Sequence, residues 1–168
     1  WADITSPECF EIDRRLREEM DIPVMHDDQH GTAIIVSAAV INGAKIAGKE
    51  VAELRVVVNG AGAAAIACAR MFLTLGIPRG QIVLCDSRGV VTRYREGLTP
   101  QKEEFATSRR LASLAEALHG ADLFVGVSVA DVLTPSMVRT MAENPMVLAL
   151  ANPDPEIAYG AAMRSRPD

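Results

Sequence analysis

Four short apolar runs alternate with helical patterns over the later two thirds of the chain. The runs are rich in β-branched residues and span 55–59, 81–85, 122–127 and 146–151. Continuous apolar runs of this length are typical of strands that are buried on both faces. Their alternation with helical segments predicts a parallel sheet covered by helices on both sides. We therefore expect an α/β, Rossmann-like fold.

Capping and stop signals define the helices between these runs. A helix is predicted over 63–75, because Gly76 and Pro78 follow it. Another is predicted over 111–118, and Thr134 followed by Pro135 indicates a helix start that continues to about residue 142. The stretch 93–110 is predicted to be an irregular surface segment, and residues 163–168 complete no recognisable element.

Two further helices are predicted before the first apolar run, over 7–19 and 31–47. The second is apolar nearly all round, so we expect it to be buried against the sheet or against parts of a longer protein. Residues 1–49 are then a helical entry segment and 50–168 a nucleotide-binding, Rossmann-like domain that is incomplete at its C-terminus. Because the chain begins at Trp1 without an initiator methionine, we expect it to be a piece of a longer protein.

Composition narrows the function classes. The net charge of −5 argues against a nucleic-acid partner. The longest apolar segment, 33–41, is too short to cross a bilayer, so no membrane association is predicted. The three cysteines are widely separated, which indicates reduced thiols in a cytoplasmic protein.

A glycine turn joins the first strand to the next helix. Gly60 permits a tight turn, Gly62 lets the backbone approach a phosphate, and Ala65 lets the helix pack closely on the strand. The helix N-terminus then offers its positive end to an anion. An ordinary strand-to-helix turn has a similar composition. If the turn does bind the pyrophosphate of a dinucleotide, the residues that contact it are Gly60, Ala61, Gly62, Ala63 and Ala64.

A carboxylate ends the second strand. Asp86 follows Gly62 by 24 residues, which is where an acid can accept a hydrogen bond from the adenosine ribose. It is equally typical of a turn before Gly89. Asp86 should repel the 2′-phosphate of NADP, whereas the neighbouring Arg88 could pair with it, so both NAD and NADP remain candidates.

A polar loop precedes the second helix. It places Asp27 and Asp28 between His26 and His30. Asp28 alone could cap the helix. Two adjacent carboxylates with flanking imidazoles also suit a divalent metal or proton transfer. A zinc pair of the two histidines is less consistent with the sequence, because Gly31 interrupts the helical spacing.

The loop reads His-Asp-Asp-Gln-His-Gly-Thr, and here the chain closely resembles the malic enzymes, especially the bacterial type. Matching segments follow in order at 6–12, 22–24, 26–33, 59–64, 85–87 and 151–156. The resemblance implies oxidative decarboxylation of L-malate to pyruvate and carbon dioxide. It also implies reduction of NAD or NADP and a requirement for Mg²⁺ or Mn²⁺, which would polarise the intermediate ketone.

The resemblance also implies residue roles. Asp3 and Asp28 match two of the family's metal ligands, but Ala2 stands where the family has a glutamate. Either the metal site is weakened or this start is a variant or truncated boundary. Asp27 resembles the carboxylate that helps to position a catalytic lysine. Asn152 resembles the substrate-contacting asparagine beside the cofactor, although its spacing also suits a turn.

The family's tyrosine acid and lysine base are expected upstream of this chain, and its second substrate asparagine downstream. The isolated chain should therefore bind cofactor without turning over malate, and the full-length protein is expected to be a homodimer. The alternative is a non-catalytic nucleotide-binding or regulatory module derived from the same fold. Another dehydrogenase of this fold is disfavoured by the His-Asp-Asp loop.

Overall fold

The computed structural model describes residues 8–166 and contains a five-stranded sheet. The strands are β1 (Val56–Asn59), β2 (Ile82–Asp86), β3 (Gly89–Val90), β4 (Leu123–Gly126) and β5 (Met146–Ala149). Their spatial order is β3-β2-β1-β4-β5, so β1 lies at the centre with β2 on one side and β4 on the other. In sheets of this kind, ligands bind outside the carboxyl ends of the strands, at the point where the strand order reverses.

The four predicted strands are present and pair in parallel. In the register of the centre, Val58 lies opposite Leu84 on one side and Val125 on the other. The fifth strand, β3, was not predicted, because it has only two residues. It pairs antiparallel with β2 and forms the edge of the sheet on that side.

Helices cover both faces of the sheet, as the alternation predicts. The helices are α1 (Glu8–Glu19), α2 (Thr32–Ala47), α3 (Ala63–Thr74), α4 (Pro100–Glu104), α5 (Leu114–Leu118), α6 (Pro135–Arg139) and α7 (Tyr159–Ser165). Val56 and Val58 belong to the hydrophobic cluster beneath α2 and α3, whereas Val57 belongs to the cluster beneath α5, α6 and α7. The α/β, Rossmann-like fold is thereby confirmed.

Two local predictions differ from the structure. The stretch 93–110 is not an irregular surface segment throughout, because α4 begins there at a Thr99 cap and Phe105 is buried beside it. Apolar Phe105 and Ala106 fix this segment against the core that contains α3. Near the end of the chain, α7 forms where no element was predicted.

The helix α2 buries only one of its faces. Val36, Val40 and Ala44 lie in the core, while Ile35 and Ile46 on the other face are 71% and 89% exposed. With the preceding turn, Asp27–Ala47 forms a helical stretch that could cross a membrane by length and composition alone. The core helix of a soluble protein meets the same criteria, and α2 packs against α3 and β5.

Candidate active site at the carboxyl edge of the sheet

A cleft of about 800 Å³ lies at the carboxyl ends of β1, β4 and β5. One wall is the polar loop with Asp27 and Asp28, and the other contains Ser128 and Asn152 from the loops after β4 and β5. Ala64, in the first turn of α3, lines the cleft between them. The structure therefore brings together residues of the loop, the glycine turn and the last strand that the sequence singled out separately.

The polar loop folds as a single π-helical turn, Asp27–Gly31, which continues directly into α2. π-Helical turns are rare in proteins, and those that do occur are often found at functional sites. The carboxylate of Asp27 lies against Gly31, where a Cβ would overlap its Oδ1 atom. Only glycine fits there without displacing Asp27. Neither end of this turn is capped by a side chain, so the capping role considered for Asp28 is not observed.

The two histidines support the turn from behind. His26 is 1% exposed, and its Nδ1 atom lies 2.9 Å from Nε2 of Gln29. Its backbone N–H donates to Nδ1 of His30 at 3.0 Å, and Arg17 lies 3.0 Å from the other ring nitrogen of His30. Burial lowers the pKa of His30. These contacts hold the imidazoles inward and leave the two aspartates to face the cleft.

The described residues supply part of a metal site. The Asp28 side chain is 61% exposed, and its carboxylate is the hard oxygen ligand that Mg²⁺ and Mn²⁺ prefer. Within residues 8–166, however, no three His, Cys, Asp or Glu side chains converge to hold an ion. Asp3, the other predicted ligand, lies outside the described residues, as does Ala2. Asp28 alone does not make a metal site, so further ligands would have to come from elsewhere.

The glycine turn leaves open space beside the N-terminus of α3. Gly60 has a φ of 127°, and a Cβ on it would lie 2.7 Å from the carbonyl oxygen of Val127. Gly62 differs, because a Cβ there would meet no atom within 4 Å. No side chain caps the N-terminus of α3. The free N–H groups and the open space above Gly62 together leave room for an anion.

Asp86 lies at the end of β2 with its carboxylate already engaged. Arg95 contacts both carboxylate oxygens at 2.9 Å, and Nζ of Lys102 lies 2.8 Å from Oδ2. The backbone N–H of Arg88 donates to Oδ1 at 2.9 Å, which is the turn contact that the sequence also allowed. Burial would raise the pKa of Asp86, but the hydrogen bonds from Arg95 and Lys102 outweigh it and hold the pKa well below its usual range.

Sequence reasoning assigned no role to Glu156, which is fully buried behind the cleft. Its carboxylate accepts from the backbone N–H groups of Ser128 at 3.0 Å and Ala151 at 3.1 Å. Asn59, the last residue of β1, donates to Oγ of Ser128 at 2.7 Å. The only sequence signal for this network was that Glu156 ends the last segment resembling the malic enzymes.

Comparison with known proteins identifies the family. Residues 29–162 match the family model described as "Malic enzyme, NAD binding domain", which is well over half of the chain. The chain belongs to the malic enzyme family. The resemblance predicted from the sequence is thereby confirmed.

Two proteins with similar sequences are named as malic enzymes. An NAD-dependent malic enzyme of Rhizobium meliloti is 52% identical over 167 residues. An NADP-dependent malic enzyme of Haemophilus influenzae is 51% identical over 168 residues. Each alignment covers 99% of this chain but 22% of the relative, so the chain spans about a fifth of their length.

A solved structure gives the same result. The NAD-dependent malic enzyme of Thermotoga maritima superimposes with a TM-score of 0.91 at 40% identity. That superposition covers 98% of this chain and 45% of the Thermotoga chain. The whole described fold, including the polar loop ahead of the sheet, therefore has the arrangement found in a malic enzyme.

Proposed function

We propose that this chain is the polar-loop and dinucleotide-binding portion of a malic enzyme. The complete enzyme would oxidise and decarboxylate L-malate to pyruvate and carbon dioxide while reducing NAD or NADP. The observation that carries the proposal is the shared cleft, which joins Asp27 and Asp28 to Asn152 beside the N-terminus of α3. The family of the chain and the names of its relatives support the same reaction.

The dinucleotide would lie across the carboxyl edge of the sheet. Its pyrophosphate would lie at the N-terminus of α3, above Gly60 to Ala64, where no side chain caps the helix. The adenosine half then lies toward Asp86 at the end of β2, and the nicotinamide half lies toward β4 and β5. This orientation brings the nicotinamide to the cleft that contains Asp28 and Asn152.

The proposed cofactor is either NAD or NADP, which differ by a 2′-phosphate on the adenosine ribose. Arg95 and Lys102 already neutralise Asp86, so its charge does not by itself exclude a 2′-phosphate. Arg88 is exposed in the same turn and is available to such a phosphate. Titrating both dinucleotides against the protein and against Asp86→Ala tests the role of this residue. Equal affinities for NAD and NADP in the unmodified protein would remove Asp86 as a discriminator.

The two aspartates of the polar loop take different roles in this proposal. Asp28 would provide one oxygen ligand to Mg²⁺ or Mn²⁺, and Asp3 another. The metal, when bound, supplies Lewis-acid polarisation of a carbonyl. Asp27, held over Gly31, would orient a lysine supplied by another part of the polypeptide. Asn152 would hydrogen-bond malate from the opposite wall.

The isolated chain is proposed to bind dinucleotide without turning over malate, because the acid and base of the family lie outside it. The complete protein is proposed to be a cytoplasmic homodimer. The decisive experiment measures malate-dependent NAD(P)H formation with Mn²⁺ by the complete polypeptide that contains this chain. Dinucleotide binding without any turnover would contradict the enzyme proposal and support a non-catalytic nucleotide-binding module.

A further inference from the structure

Glu156 is a buried carboxylate without a cationic partner among the described residues. It is 0% exposed, and its carboxylate accepts three hydrogen bonds. Oε1 accepts from N–H and Oγ of Ser128 at 3.0 and 3.3 Å, and Oε2 accepts from N–H of Ala151 at 3.1 Å. Burying a carboxylate is costly unless hydrogen bonds replace its hydration, and here every partner is a donor.

The position of this carboxylate links two loops that are distant in sequence. Ser128 follows β4 and lies 28 residues before Glu156, while Ala151 follows β5 and precedes Asn152 directly. Ser128, Ala151 and Asn152 all line the cleft. Because one side chain bonds both backbones, neither loop can shift without breaking a buried hydrogen bond.

The network extends to the central strand. Asn59 is 8% exposed and donates to Oγ of Ser128 at 2.7 Å, immediately before the glycine turn. Glu156 therefore connects, directly or through Ser128, the carboxyl ends of β1, β4 and β5. These three strand ends form the side of the cleft where the nicotinamide half and the substrate would meet.

Gly126, at the end of β4, leaves the space that the carboxyl group of Glu156 occupies. A Cβ at Gly126 would overlap the carboxyl group of Glu156. The carboxylate thus lies directly against the backbone of β4, and only glycine leaves space for it. Gly126 and Glu156 lie 30 positions apart in the sequence, yet the missing side chain of one provides the space that the carboxyl group of the other occupies.

We propose that Glu156 is a positioning residue that fixes Ser128 and Asn152 in the cleft for malate oxidation. The inference rests on the proposed function, since malate is the substrate that the positioned groups would contact. Glu156 itself does not line the cleft. It acts through the backbone of the two loops, so its loss should impair substrate turnover more than dinucleotide affinity.

The test is Glu156→Gln in the complete polypeptide. Glutamine keeps the shape but turns an NH₂ group toward backbone N–H donors, so one loop loses its acceptor. We expect kcat/KM for malate to fall by about 10- to 100-fold, as when groups that orient a site are removed. The Kd for the dinucleotide should change by less than about threefold, because the pyrophosphate site at α3 is untouched.

Asp154→Asn is the matched control, because it removes an exposed carboxylate from the same loop. It should retain the kcat/KM of the unmodified protein. Gly126→Ala should reproduce the effect of Glu156→Gln, and the double variant should be no worse than the more impaired single variant, since both changes disrupt one contact. Ser128→Ala provides a milder variant if Glu156→Gln fails to fold, with a smaller loss of the same kind.

The outcomes separate this inference from the proposed function. If the unmodified protein turns over malate and Glu156→Gln behaves like Asp154→Asn, the positioning role is wrong. If Glu156→Gln weakens dinucleotide binding as much as malate turnover, the residue only maintains the fold, which also overturns the inference. If the unmodified protein binds dinucleotide but never oxidises malate, the proposed function fails first and the inference fails with it.

Discussion

Replacing Asp86 by asparagine tests the charge arrangement at the end of β2. The change keeps the size of the side chain but removes the charge that two cations share. Arg95 is 14% exposed and Lys102 is 27% exposed, so both are largely withdrawn from water around a carboxylate that is 8% exposed. In the variant, Arg95 would remain enclosed without its bidentate partner.

The structure sets the size of the effect. Removing one partner of a buried ion pair costs about 3–5 kcal/mol when the other charge cannot reach water. Lys102 can rehydrate more easily than Arg95, because it is more exposed and its ammonium group lies at the end of a flexible stem. We therefore expect the lower end of that range, a loss of about 3 kcal/mol in the free energy of unfolding at neutral pH.

The effect should depend on pH in a defined direction. Burial raises the pKa of Asp86, but the hydrogen bonds from Arg95 and Lys102 lower it further, so the folded pKa lies below the ordinary value of 3.8. A carboxyl group with a depressed pKa stabilises the fold above its unfolded pKa. That stabilisation is lost as the pH falls through the folded pKa. The difference in stability between the unmodified protein and Asp86→Asn should therefore be full near neutrality and shrink below pH 3.8.

Urea unfolding at about pH 7 and about pH 3 measures both parts of this prediction. Asp21→Asn is the control, because Asp21 is exposed. Asp86→Asn should lose about 3 kcal/mol at the higher pH and less at the lower. A loss within about 0.5 kcal/mol of the control, or a loss that grows on acidification, would refute the reasoning.

Two further predictions concern the polar loop and the thiols in the core. Gly31→Ala should displace the Asp27 carboxylate, because a Cβ would overlap its Oδ1 atom, but Asp27 is exposed and can turn away, so stability should change by less than about 1 kcal/mol, as for Gly80→Ala, whose Cβ meets open space. Urea unfolding compares the two variants, and a loss of more than about 2 kcal/mol for Gly31→Ala alone would contradict a freely displaced Asp27. Burial raises the pKa of Cys68 and Cys85 to about 12, so iodoacetamide at about pH 8 should label neither thiol before unfolding. Mass spectrometry that finds rapid labelling of either native thiol would contradict their burial.

The sequence predicted the sheet because its parallel strands are apolar at nearly every position. β1, β2 and β4 are buried at nearly every position, so their runs are visible without knowledge of the fold. The polar loop was equally visible, since charged residues directly before an apolar helix are conspicuous. Short elements were harder to detect: the two residues of β3 carry no periodicity of their own.

Long-range pairing explains what the sequence could not show. The sequence allowed Asp86 to be a ribose acceptor or a turn residue, and it gave no sign that Arg95 and Lys102 contact it from 9 and 16 residues downstream. Glu156 bonds Ser128 across 28 residues, through a contact that depends on the order of β4 and β5 in the sheet. Such partners are set by tertiary packing and leave no local pattern.

The most direct test of the central claim is the dinucleotide affinity of Gly62→Ala. Its Cβ would meet no protein atom within 4 Å, and the backbone φ of −90° suits alanine, so the melting temperature should not fall. The same Cβ would face the phosphates, and calorimetric titration should show the affinity for NAD or NADP falling by about tenfold or more. Unchanged affinity in a stably folded Gly62→Ala protein would contradict dinucleotide binding at this turn.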